Sequence, residues 1–170
     1  MNSPFATILL NVQSRLRAAM PGIACIDQDL GQLRPGVRPP VSWPCVLIDF
    51  EDFKFNNLGE QVQTAAGVVV FRLGFAPHGS TAAAAPTDYK EQALAYYDIE
   101  WRLHKTLQNW SPGDAFGQLN RATAATQKRP DAYRVRELRY TLCFDDYSTK
   151  NTREYVPATA VIENHLAISL

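Results

Sequence analysis

The sequence predicts an α+β domain: a mixed or antiparallel β-sheet of about four to five strands, packed by an N-terminal helix and one long central helix. A projecting β-hairpin and an extended C-terminal tail complete the expected architecture. Three observations predict it. Apolar residues recur at helical spacing from Phe5 to Met20, residues 68–75 and 134–144 alternate with a period of two, and residues 87–110 return to helical spacing.

Ser3 followed by Pro4 is a helix start, a capping hydroxyl before a residue whose missing N–H costs nothing at the first helical position. Phe5, Ile8, Leu9, Val12, Leu16 and Met20 then form one face, with Asn11, Ser14, Arg15 and Arg17 opposite. Pro21-Gly22 ends the helix. Residues 23–27 read as a short strand. Residues 29–44 hold four prolines and two glycines and cannot be regular structure. Residues 45–50 are apolar nearly throughout, which marks a buried, central strand. Residues 51–60, with Asn56-Asn57-Leu58-Gly59, read as the turn into the next strand.

That next strand is the long one. Val69, Phe71, Leu73 and Phe75 share one face, and Val68, Val70 and Arg72 the other. Residues 61–75 extended would span roughly 50 Å, against about 5–6 residues for an ordinary strand. Its polar first half, with Gln61, Gln63 and Thr64, is expected to project or to bend at Gly67, paired with residues 52–56 as a hairpin arm. After the Ala82–Ala85 run and Pro86, a helix starts near Thr87 or Asp88, with Glu91 completing a capping arrangement with Asp88. Tyr96, Ile99, Leu103, Leu107 and Trp110 mark one face of it, and Leu94, Tyr97 and Trp101 a second. A stripe that wide implies burial against the sheet and against something else.

Ser111-Pro112-Gly113-Asp114 terminates the helix, and residues 116–127 fit either an edge strand or a loop. In residues 134–144, Leu138, Tyr140, Leu142 and Phe144 alternate with Glu137, Arg139 and Thr141, a strand with one wet or interface face. The sequence therefore divides into a single domain over residues 1–146 and an extension over 147–170. The extension is polar to Thr159 and then carries Val161, Ile162, Leu166, Ile168 and Leu170. Such a tail reads either as a frayed end or, through its strand-like aliphatics, as a segment that adds to a neighbour's sheet edge.

Composition bounds the function. The chain has 170 residues, 46% hydrophobic and 20% charged, enough for one domain with a real core. Seventeen basic residues balance seventeen acidic ones, so no global field draws nucleic acid or an anionic membrane. Cys25, Cys45 and Cys143 lie in apolar runs without CxxC pairing and read as buried thiols in a reducing compartment. No secretory leader is visible, and no apolar run reaches the roughly 20 residues of a membrane span. The expected site of synthesis is the cytoplasm.

Chemistry is hard to find. His78, His104 and His165 have no second ligand at metal spacing, and there is no nucleophile-elbow, Walker or dinucleotide-binding motif. No catalytic residue, metal or cofactor is therefore expected. Glu51-Asp52, Asp145-Asp146 and the Asp27/Asp29 pair read as solvated turn acids. Arg121, Lys128, Arg129, Arg134, Arg136 and Arg139, with Tyr133 and Tyr140 nearby, resemble a nucleic-acid surface only superficially. Arg134 and Arg136 share the face of Leu138 while Arg139 points away, so acidic residues of a neighbouring copy account for these charges equally well.

The element order, with Gly31-Gln32-Leu33, the run Pro39-Pro40-Val41-Ser42-Trp43-Pro44-Cys45-Val46-Leu47-Ile48, and Leu94-Ala95-Tyr96-Tyr97-Asp98-Ile99, resembles the tail terminator (tail completion) proteins of long-tailed phages and phage-derived contractile particles, in particular Bacteroidetes-type members. The resemblance covers residues 4–146. It implies a structural virion protein, not an enzyme, assembled in the host bacterial cytoplasm and placed at the tail–neck junction. There it forms a homo-oligomeric ring, usually a hexamer, that caps the tail tube and stops its polymerisation. Its implied partners are the tail tube protein, the neck or head-completion protein and, in a contractile particle, the sheath. DNA meets it only by passing through the lumen, and no membrane is involved. The subunit-interface candidates are Gln61, Gln63 and Thr64 of the arm, Tyr97 and Trp101 of the helix, Arg139, and Tyr155, Val161, Ile162 and Leu166 of the extension. The alternatives are another neck or head-completion connector and a small-ligand-binding or enzymatic domain.

Overall fold

The structure, a computed structural model, describes residues 3–35, 39–59, 61–77 and 79–149. Their order is α1 (Pro4–Ala19), β1 (Cys25–Gln28), β2 (Cys45–Gly59), β3 (Val62–Phe75), α2 (Thr87–Leu107), β4 (Asn120–Gln127) and β5 (Arg134–Asp146). The five strands form one sheet in the order β1-β2-β3-β5-β4. β1 runs parallel to β2 and the other neighbours are antiparallel, so the expected mixed α+β architecture is the observed one.

Both helices pack on one face of this sheet. Ser3 caps α1, its Oγ accepting from the Ala6 N–H at 3.5 Å. Ile8, Val12 and Leu16 are fully buried against Val46, Ile48, Val69, Phe71 and Leu73 of the sheet and Leu103 and Leu107 of α2. β5 adds Leu138, Tyr140, Leu142 and Phe144 to the same core, the alternation its sequence displays. On the opposite, outer face a smaller cluster of Leu33, Cys45, Leu47 and Val135, with Val41 and Trp43 packed on it, shows where the Pro-rich connection lies.

Several expectations are corrected. Residues 51–60 are not a turn: β2 continues to Gly59, with a bulge between Glu51 and Lys54 where Asp52 takes a positive φ of 57°. The bulge brings Phe53 against β3, and a Cβ at Gly67 would lie 2.7 Å from the Phe53 Cα, which is why a residue without a side chain stands there. The expected pairing of residues 52–56 with the first half of β3 is observed from Lys54 to Asn56, and β5 follows β3 as far as Gln63, opposite Asp146, as a third strand. Phe5, Phe53, Phe55 and Phe144 cluster on the hairpin.

The start of α2 is set by Pro86 rather than by an Asp88–Glu91 capping pair. Pro86 occupies the cap position with no side-chain cap hydrogen bond, and its carbonyl accepts from Lys90 N–H at 3.1 Å. The helix also ends at Leu107, before Trp110, so its 21 residues span about 31 Å. Finally, Cys143 is exposed, on the outward phase of β5, whereas Cys45 is buried and its thiol pushed up to about 12 by burial. Residues 120–127, the ambiguous stretch, are an edge strand exposed along nearly its whole length.

Candidate assembly interface

α2 lies over β5. Its Glu100 accepts hydrogen bonds from Arg136 Nε at 2.6 Å and Nη2 at 2.8 Å, and Arg136 Nη1 reaches Thr126 Oγ1 of β4 at 2.7 Å. The guanidinium therefore ties α2, β5 and the edge strand β4 together. Residues 97, 101, 104 and 108 follow the i, i+4, i+7, i+11 spacing of one helical stripe. The C-terminal half of that stripe is engaged. His104 Nδ1 is 3.1 Å from the Tyr140 hydroxyl, and Gln108 donates to Asn120 Oδ1 and accepts from the Arg121 N–H, both at 3.0 Å. Burial, helped by the charge of Arg121, holds the His104 imidazole below its ordinary 6.5, against the opposing pull of Glu100.

The N-terminal half of the stripe is uncovered. Tyr97 is 48% exposed, Trp101 60% and neighbouring Leu94 44%. Lys105 Nζ stands 5.2 Å from the Trp101 ring centroid, and the Arg134 guanidinium stacks 3.2 Å from the centroid of Tyr96 and 5.3 Å from that of Tyr97. Burial pushes the Tyr96 hydroxyl up to about 12, while its hydrogen bond with Tyr97 lowers the latter. Because Gln108 and His104 of this stripe face β4 and β5, Tyr97 and Trp101 stand on the β4 side of the helix. The uncovered aromatics and the open edge strand thus share one flank.

The outer face of the sheet carries an ion-pair network that sequence reasoning missed. Arg72 bonds Asp29 at 2.5 Å, Glu51 at 2.9 Å, Glu137 at 3.2 Å and Asp49 at 3.5 Å. Arg139 bonds Glu51 at 2.8 Å, Glu137 at 3.2 Å and Asp52 at 3.5 Å. Burial works against the Arg72 cation, but the hydrogen bond and charge of Asp29, with Glu137 and Glu51, outweigh it and raise its pKa. The only advance signal was an arginine among valines on one phase of a long strand. Acidic partners of Arg139 are thus found within its own chain, and those of Arg136 likewise, so a neighbouring copy is not needed to account for these charges.

The remaining candidates are spread out. Gln63 and Thr64 are in register with Asp146 and Asp145, and the Gln61 carbonyl accepts from Thr149 Oγ1 at 2.6 Å, so the arm's end is tied to the start of the extension. Tyr155, Val161, Ile162 and Leu166 lie outside the described residues, as do His78 and His165. Two of the clefts among the described residues border the Arg72 network and the Arg134–Tyr96 stack. One, of about 550 Å³, is lined by Asp29, Asp49, Arg72 and Gln127 on the outer face. The other, of about 460 Å³, is lined by Trp43, Phe75, Tyr96, Ile99 and Arg134. Neither includes His104. Among the described residues no three His, Cys, Asp or Glu side chains are placed to hold a metal ion, and no helix is long and apolar enough to cross a membrane.

No protein-family model matches the chain, and no curated protein matches it in sequence.

Proposed function

We propose that the chain is a tail terminator subunit of a long-tailed phage or phage-derived contractile particle. It closes into a ring, hexameric as in the family it resembles, on the head-proximal end of the tail tube. It contacts the tube protein on one side and the neck on the other, with the sheath as a further partner in a contractile particle. The observation that carries this reading is the uncovered flank of α2 and β4. Ring closure needs two different, complementary faces on each subunit. The sheet supplies two unlike edges: β4 with Tyr97 and Trp101 beside it, and the four-residue β1, after which Leu30 is exposed. Exposed Trp and Tyr are the side chains that most often anchor protein interfaces. The test is to add the purified protein to elongating tail tubes. Tubes capped at one end and arrested in length are the expected result, and unaltered elongation counts against the proposal.

The small-ligand alternative has one observation in its favour. In the aromatic-lined cleft the Arg134 Nε is buried with no hydrogen-bond partner among the described residues, so a ligand bearing a carboxylate and a flat apolar body would fit. A thermal-shift screen with aromatic carboxylates separates the two readings, since a ring subunit needs no such ligand to be stable.

A further inference from the structure

We propose that residues 166–170 of one copy add as a strand to the open edge of β4 in a neighbouring copy, with Leu166, Ile168 and Leu170 seated beneath Tyr97 and Trp101. The in-trans form of this inference rests on the ring reading above; the docking site itself does not.

The receiving edge has the properties such addition requires. β4 is eight residues long and, among the described residues, pairs with β5 along one side and with no strand along the other. Its other side presents main-chain N–H and C=O groups, which native proteins normally blunt with proline, lysine or a covering element. From Asn120 to Gln127 there is neither proline nor lysine, and the single irregularity lies at the start, between Arg121 and Thr123.

The side chains beside that edge prescribe the occupant. Ala124 and Thr126 are in register with Leu138 and Arg136, so they point to the helix side, where Thr126 meets Arg136. Both are small. A strand added outside them, about 4.8 Å away, could lean its large residues over them toward the Tyr97–Trp101 overhang. Thr123 and Ala125, in register with Arg139 and Glu137, point to the outer face and need only small or polar neighbours. The occupant should therefore alternate large apolar and small residues with a period of two. Leu166-Ala167-Ile168-Ser169-Leu170 has that pattern.

Reach permits it. The described chain stops at Thr149, held to Gln61 at the hairpin end of the sheet. The sixteen residues 150–165 intervene before the pattern begins, and extended they cover up to roughly 50 Å. That is enough to leave the subunit and cross to the next. Strand addition is a heterologous contact, donor segment to acceptor edge, of the kind a closed ring repeats around its axis.

The experiment uses the full chain and two variants, Ile168→Asp in the donor and Trp101→Ala in the overhang, followed by amide hydrogen exchange over residues 120–127 and native mass. In the wild-type assembly β4 amides should exchange at least about tenfold more slowly than in either variant, and the protection should fade on dilution to monomers. Equally fast exchange in all three chains overturns the proposal, as does protection that Ile168→Asp leaves intact. Protection that persists unchanged in a diluted monomer overturns the in-trans form, because the segment would then be folded onto its own subunit. A ring that survives with β4 exchanging freely defeats this proposal while leaving the ring standing; a wild-type chain that never assembles defeats the ring reading itself.

Discussion

Glu100 and Arg136 form a two-pronged ion pair between the centre of α2 and the helix-side face of β5, with oxygens 2.6 and 2.8 Å from the guanidinium nitrogens. Glu100 is the charged residue of the described core, 8% exposed. The pair fixes the helix over the strand, and through Thr126 it also fixes the edge strand on whose flank Tyr97 and Trp101 stand.

Breaking that pair should be costly. Truncating one partner of a buried pair leaves the other charge unsatisfied, at about 3–5 kcal/mol. Glu100→Ala is expected to lose at least about 3 kcal/mol in denaturant unfolding. The double replacement Glu100→Leu with Arg136→Met should recover most of it. A single variant as stable as the parent would mean that water, not Arg136, compensates the carboxylate.

Phe71 tests the assignment of sheet faces. Its ring is fully buried on the helix side and meets Tyr140 edge to face, with centroids 5.3 Å apart. Phe71→Ala should cost about 3–5 kcal/mol as a core truncation. A neutral result in denaturant melts would reverse the faces of β3.

The outer network gives a stability that depends on acid. Glu137 is held below its ordinary 4.5: burial opposes this, but Arg139, Gln127 and Arg72 outweigh it. A carboxyl depressed in the fold stabilises above its unfolded value, and that contribution is lost as pH falls through the folded value. Arg72→Met should therefore destabilise the protein at pH 7 by about 3 kcal/mol, the lower end for a pair that is part-buried. The deficit should shrink as pH falls below 4.5 and Glu137 protonates. A pH-independent deficit would assign the loss to packing of the arginine stem.

His104 acts in a separate window. Its folded value lies below 6.5, so the fold prefers the neutral ring and binds fewer protons than the unfolded chain just below pH 6.5. Its stabilisation is complete above that pH and is lost as pH falls through the folded value. His104→Gln should flatten the slope of stability just below pH 6.5 while leaving the loss at more acid pH. An unchanged slope would show that another group titrates there.

Much of the fold was legible because period and punctuation are local. Ser3-Pro4 and the spacing of Ile8, Val12 and Leu16 marked α1, and the alternation of Leu138, Tyr140 and Leu142 assigned the faces of β5 correctly. What failed depended on pairing. The Asn56-Asn57-Leu58-Gly59 run looked like a turn because polar residues mark turns, yet on a long hairpin they sit in a solvated strand end paired to Thr64 and Gln63. The Arg72 network was invisible because its members come from positions 29, 49, 51, 72 and 137, brought together by the register of β2, β3 and β5 and by the loop that leaves β1. At the candidate interface the aromatic stripe could be read from helical spacing. That it borders an open strand edge could not, since β4 is made of small and polar residues with almost no periodic signal.

The most direct test of the central claim is the native mass of the full chain, with electron microscopy of the same particles. The account predicts a closed ring of about 114 kDa, six copies of the 19.0 kDa chain, that binds one end of tail tubes. A particle of 19.0 kDa at every concentration, unable to bind tail tubes, would contradict it.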